Sequence, residues 1–199
     1  MTSSSISSRN RLVMAMSRLL WERGYADTSP HEVLHAAGVG QGSMYHFFAG
    51  KHDLALEALR HNVAQSFGGR EILEESGSPL DRIERYLRVP RAGTRGCRIG
   101  RMTQDPQVFD DPEMIALIAE AFQRQLTLWT GVLQEAVDVG ELPATVNAED
   151  LARTMVAVIQ GGYVLARANH AQLPMDQAVN GIIGVLHALS AEHGANAST

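Results

Sequence analysis

Apolar residues recur along this chain with a helical period almost throughout, and no stretch carries the period-two alternation of a strand. Leu12, Ala15, Met16, Leu19 and Leu20 fall at i, i+3, i+4, i+7 and i+8, which predicts a first helix over about 9–23 with one apolar face, ended by Gly24. Ser29, Pro30 and Glu32 read as an N-cap, a first-turn proline and the far side of a capping box, so a second helix starts there and stops at Gly38. A short third helix over about 41–47 and a fourth over about 51–67 follow, with Val39 and Phe47 as core positions, before Gly68-Gly69 breaks the pattern. A fifth starts at Ser78-Pro79, a sixth is predicted over about 95–104, and a long seventh opens at Asp111-Pro112 and closes at Gly140. The eighth spans about 148–169 and the ninth about 175–192. The expectation is an all-α protein of about nine helices. From Leu151 to Ala166 the eighth helix is apolar nearly all round, and such a helix needs cover on two sides, which implies a partner subunit.

Charge divides the chain. Residues 1–70 hold 7 Lys+Arg against 5 Asp+Glu, and residues 71–199 hold 10 against 17, so a mildly basic part precedes an acidic one. The net charge of −5 argues against indiscriminate coating of nucleic acid. Met1 to Ser8 is Ser-rich without an apolar core, and no run of 18 apolar residues occurs, so neither a signal peptide nor a membrane span is expected. With Cys97 as the single cysteine no intrachain disulfide forms, and a cytoplasmic location is expected.

Two helices joined by a glycine turn, the second short and polar, describe a helix-turn-helix. Its second helix needs small and polar residues at the start to enter a major groove. Gln41 has the amide that reads adenine in a bidentate contact, and Gly42 permits close approach. Ser43, Tyr45 and His46 carry donors for phosphates, Lys51 is a point charge suited to a phosphate, and Thr28 offers its hydroxyl and its N–H. The stretch from Gly24 to Ser29, then Ala36-Ala37-Gly38-Val39, then Gly42 to Phe48, then Lys51 resembles the signature of the bacterial tetracycline-repressor (TetR) family over about residues 9–60. Residues 71–199 match more loosely, through helix number and lengths and Gly140-Glu141-Leu142 after a long helix. The resemblance implies the same DNA-contacting roles at these positions. It also implies an N-terminal three-helix bundle over 9–68 and a C-terminal ligand-binding and dimerisation domain over 69–193, flanked by tails at 1–8 and 194–199. Gly40 departs from the Ser or Thr common in the family and weakens the N-cap of the third helix.

A rival reading lies in the same segment. His31-Glu32-Val33-Leu34-His35 spells the H-E-x-x-H of zinc hydrolases, with two His on one helical face and Glu32 as base. Gly38 follows where metzincins place glycine, but Gln41 stands where their third His belongs, and Glu57 fits another third-ligand pattern only approximately. The segment is already spent on a capping box and a turn, so no enzyme, metal or cofactor is expected.

For the C-terminal half, Arg101, Met102, Phe109, Phe122, Trp129, Met155 and Tyr163, with Gln160 as polar anchor, are candidate lining of a pocket for an apolar or aromatic effector. Arg98 and Arg101 are expected in solvent or paired with acids; facing the pocket, they favour an anionic ligand. Arg95 and Arg98 flank Cys97, which reads as buried and inert or as a reactive thiol. Leu151, Met155, Ile159 and Gly162 of the eighth helix and Ile182, Val185 and Leu189 of the ninth are expected to pair two subunits as a four-helix bundle. The function expected is that of a repressor that binds a pseudo-palindromic double-stranded operator as a homodimer. A small molecule releases it by binding a splayed form, so that DNA and ligand weaken each other.

Overall fold

The computed structural model describes residues 7–197. They form α1 (Ser8–Glu22), α2 (Pro30–Ala37), α3 (Gln41–Phe47), α4 (Lys51–Ser66), α5 (Pro79–Leu87), α6 (Pro106–Phe109), α7 (Pro112–Asp138), α8 (Ala148–Ala168) and α9 (Leu173–Ala197), with no strand among the described residues. Three 3₁₀ turns, Arg70–Glu74, Gly93–Arg95 and Gly100–Gln104, lie between them. The helix expected over 95–104 is therefore two short turns: Gly96 at φ +80° interrupts it, and Asp105-Pro106 starts α6 just after it. The tail expected over 1–8 ends early, because Ser7 caps α1 and Ser8 opens it; residues 1–6 lie outside the described residues. At the other end α9 continues to Ala197, and residues 198–199 lie outside.

Contacts gather the chain into two compact units, Met1–Ser66 with Cys97–Ala121, and Phe67–Gly96 with Phe122–Thr199. A single cut near residue 68 does not reproduce this grouping, since 97–121 packs with the N-terminal helices. In the first unit α1 is the spine: Leu12, Met16, Leu19 and Leu20 bury against Val33 and Leu34 of α2 and Leu54, Ala58 and Leu59 of α4. Each of the Leu, Met and Val side chains contributes about 1.5–3 kcal/mol on leaving water. Inside this apolar contact Ser17 donates to Asn62 Oδ1 at 2.7 Å and Asn62 returns a bond to the Ser17 carbonyl at 3.1 Å. Both residues are buried. A mispaired register leaves those groups unmet, at about 1–3 kcal/mol each.

The second unit has its own core, with Tyr86, Leu87, Trp129, Leu133, Met155, Ile159, Ile182 and Leu186 among its members. Arg82 is buried beside it, donating to the Leu73 and Glu75 carbonyls at 3.1 and 2.8 Å and pairing with Glu135 at 2.5 Å. Helices α8 and α9 pack against each other at Gly162, where an added Cβ lies 2.9 Å from Ala178 Cβ and 3.2 Å from Met175 Sδ.

Candidate nucleic-acid interface

Local sequence builds the helix-turn-helix. Ser29 Oγ accepts the Glu32 N–H at 3.3 Å, while the Glu32 carboxylate accepts the Ser29 N–H at 2.9 Å, which closes the capping box at the start of α2. The Ser29 N–H first, and then the Ser29 hydroxyl at 2.8 Å, donate to the Glu32 carboxylate and hold it below the usual carboxylate range. Gly38 ends α2 in the left-handed region, φ +61° and ψ +42°, where a side chain is strained, and Arg11 donates to its carbonyl at 3.2 Å. The chain can then reverse at Val39 into α3.

Met44 anchors α3 in the core, and Phe48 beyond it is buried as well. Phe47 and Val39 were expected in that core. Phe47 is instead exposed and stacks edge-on against His46, and Val39 is half-buried; Phe48, not Phe47, is the buried ring, with Arg9 of α1 5.3 Å from its centre. With Met44 inward, Gln41, Gly42, Tyr45 and His46 face outward, Tyr45 with 60% of its surface exposed, and Ser43 is half-buried. A concavity of about 590 Å³ between α2 and α3 is lined by His31, Leu34, His35, Val39, Gln41 and Tyr45. Gly40 caps α3 without a side-chain bond.

Two expected contacts sit differently. Thr28 is 1% exposed, and both its donors are used internally, the hydroxyl on the Gly24 carbonyl at 2.6 Å and the N–H on the Tyr25 carbonyl at 3.2 Å. It cannot offer them to a phosphate. Lys51 is half-buried: its ammonium donates to the Tyr25 carbonyl at 2.7 Å and lies 4.0 Å over the Tyr25 ring. Burial pulls its pKa below the ordinary lysine value. His31 and His35 are exposed, Glu32 is held by Ser29 and by Arg23 at 2.5 Å, and Glu57 pairs with Arg9 at 3.0 Å. Of the zinc motif only Glu32 is spent on the cap, and no group of three His, Cys, Asp or Glu placed to hold a metal occurs among the described residues.

Of the candidate pocket residues, Trp129, Met155 and Tyr163 come together in the core of the second unit, with Phe122 and Gln160 half-buried on α7 and α8. Trp129 packs edge-on against Tyr86 at 5.9 Å, and its buried indole N–H meets no acceptor among the described residues. Met102 is buried in the first unit, where Arg101 donates to the Trp21 carbonyl. Phe109 is 64% exposed, and the residue that α6 buries is its neighbour Val108, at 1%. Arg98 is half-buried, lies 3.6 Å over the Trp21 ring and donates to Asn62 Oδ1 at 3.3 Å. Cys97 is half-buried and its sulfur accepts the Gly100 N–H at 3.2 Å.

The expected dimer residues also divide. Met155, Ile159, Gly162 and Ile182 are buried inside the subunit's own α8–α9 packing, Leu151 and Leu189 are half-buried against it, and only Val185 is exposed. The periodicity marked them as buried; their cover comes from the same chain. The outward stripe is Ala157, Gly161, Val164 and Leu165 on α8, with Gly181, Gly184 and Val185 on α9.

Residues 13–58 match the family described as bacterial regulatory proteins, tetR family, and residues 79–182 match the tetracyclin repressor-like C-terminal domain. The second match alone covers more than half of the chain. The chain belongs to the tetR family. Among its tetR relatives, the transcriptional regulator AcuR of Cereibacter sphaeroides is 30% identical over 167 residues, 78% of this chain and 74% of that protein. The HTH-type transcriptional repressor KstR2 of Mycobacterium tuberculosis is 23% identical over 137 residues, 67% of this chain and 68% of that one. The solved TetR regulator of Chloroflexus aurantiacus shares the fold at a TM-score of 0.80 and 23% identity, covering 90% and 94% of the two chains. A transcriptional regulator of Saccharomonospora viridis, solved in complex with choline, gives 0.76 at 21% identity, with 89% and 95% covered. This tetR member is a transcriptional regulator with a helix-turn-helix DNA-binding domain, and not an enzyme. Among the described residues no helix is long and apolar enough to cross a membrane.

Proposed function

We propose that this tetR-family protein is a ligand-released repressor that binds a pseudo-palindromic operator as a homodimer in the cytoplasm. The observation that carries the reading is the outward face of α3, with Gln41, Gly42, Tyr45 and His46 exposed on a helix anchored by buried Met44. Gln41 reads a base edge, while Ser43, Tyr45 and His46 reach phosphates. The ammonium of Lys51 has three donors, of which Tyr25 takes one, so it serves a phosphate and the turn together. The repressor named among the relatives supports the sign of regulation.

Pairing uses the outward stripe of α8 and α9. Val164, Leu165 and Val185 are each about half exposed there, and aligned apolar residues on two adjacent long helices suit a second copy of the same surface. The effector enters the second unit near Trp129, whose unmet N–H favours a molecule bringing an acceptor. The choline-bound relative supports small-molecule control without naming the ligand here.

The test is selection of duplexes from a random pool by the purified protein, followed by a shift titration. The reading requires an inverted repeat bound by two chains. Recovery of no enriched sequence, or of a single half-site bound by one chain, overturns it.

A further inference from the structure

The turn from Gly24 to Thr28 joins α1 to α2 and so sets the direction in which the helix-turn-helix leaves the bundle. It holds itself through the two Thr28 bonds, and Lys51 grips it by the Tyr25 carbonyl. Its two forward amides are held from a segment some 80 residues away within the same unit: Asp105 Oδ2 accepts the Tyr25 N–H at 2.6 Å and the Ala26 N–H at 2.9 Å. The other oxygen, Oδ1, accepts the Gln107 and Val108 N–H groups at 3.0 and 3.3 Å and caps α6. One carboxylate, only 9% exposed, thus meets four backbone donors, two from each element. Gly24 is shaped for it. Its φ is +100°, and a Cβ there lies 2.8 Å from Asp105 Oδ2, so a side chain at 24 displaces the carboxylate.

We infer that Asp105 is a positioning residue for DNA binding. It contacts no nucleic acid itself. It fixes the turn before α2, and through the short α2 and the Gly38 turn it fixes where α3 points. The inference rests on the reading that α3 enters the groove. A carboxylate is what the position requires, because both oxygens must accept. In Asp105→Asn one oxygen becomes an NH2 that faces either the turn's donors or those of α6, donor against donor. The same segment supports the arrangement elsewhere, through Arg101 on the Trp21 carbonyl and Asp111 on His52 at 2.8 Å.

The experiment compares Asp105→Asn, Asp105→Ala and Gly24→Ala with wild type as full chains, using the duplex that wild type selects from a random pool. Circular dichroism, melting, Kd at several salt concentrations and amide exchange at Tyr25 and Ala26 are read. The expected result is retained helix content and affinity lower by tenfold or more. The slope of log K against log salt should shallow by about 1 or more, because misaimed helices lose phosphate contacts. Exchange at Tyr25 and Ala26 should be faster by tenfold or more. Gly24→Ala should cost less in the Asp105→Ala background than in wild type, since the displaced carboxylate is already gone. Affinity within twofold of wild type overturns the inference. So does an affinity loss with an unchanged salt slope and unchanged amides, which is the signature of a smaller folded fraction. If both Asp105 variants lose the fold, the residue is structural and the inference falls. If wild type itself selects no duplex, the α3 reading fails first and is distinguished by that arm.

Discussion

Gln41 stands exposed at the first position of α3, and its amide can pair with only one base at a time. Gln41→Ala is therefore expected to relax preference at one position per half-site, at about 1–3 kcal/mol there, and to leave other positions unchanged. Repeating the duplex selection with the variant checks this; an unaltered motif means that the side chain is plain surface. Single residues also show what sequence can and cannot say. Thr28 and Lys51 were legible as polar groups beside a helix-turn-helix, but not as groups that spend donors on Gly24 and Tyr25. Which acceptor a side chain meets is a tertiary fact. Asp105 was not singled out at all, because nothing in the chain near it announces Tyr25 and Ala26.

Elements with local punctuation were the readable ones. The bounds of α2 follow from Ser29, Glu32 and Gly38, all signals within a few residues, and α3 follows with them. The stretch 95–104 misleads because Arg, Met and Ile are fair helix formers, while Gly96 and Gly100 cut the run into turns too short for an α-helix. In α8 the period correctly marks Met155, Ile159 and Gly162 as buried, but period alone does not say whether α9 or a second subunit covers them. The weak start of α3 yields a prediction at this scale. Gly40 sits at φ −71°, ψ +158° with nothing within 4 Å of an added Cβ. Gly40→Ser is expected to raise stability by a few tenths of a kcal/mol through a new N-cap bond, without strain. Thermal melting detects it; a lower Tm contradicts the geometry of the turn.

For the whole molecule, two behaviours follow. Glycines 161 and 162 adjoin in sequence but face different neighbours. Around Gly161 an added Cβ meets nothing within 4 Å, so Gly161→Arg should leave the subunit folded and yield monomers that no longer shift the operator. Gly162→Ala meets Ala178 and Met175, so it should lower stability by about 1–3 kcal/mol and leave pairing intact once folded. Sedimentation of both variants separates the two; a normal dimer from Gly161→Arg removes that face from the interface. Acid should also unfold the protein in a definite range. Glu32, Glu84 and Asp111 are each held below the usual carboxylate range, chiefly by the Ser29 N–H, the Arg88 guanidinium and the Met114 N–H. A depressed folded pKa contributes stability above the unfolded value near 4, and that stability is lost as pH falls through the folded values. Tm should hold from pH 6 to about 4.5 and fall below about 4, less steeply in Glu84→Gln. A Tm that stays flat to pH 3 contradicts this.

Lys51 is the only lysine in the 199 residues, and its ammonium rests on the Tyr25 carbonyl at the foot of the DNA-binding helices. The chain thus offers amine-directed reagents one side-chain target, and burial makes that amine easier to deprotonate than an ordinary lysine. A mild acylating dye therefore attaches next to the turn that Asp105 holds, with no engineered cysteine. The side-chain adduct, told from an α-amine adduct by peptide mapping, becomes a built-in gauge, its rate of formation falling when a duplex lies across the amine.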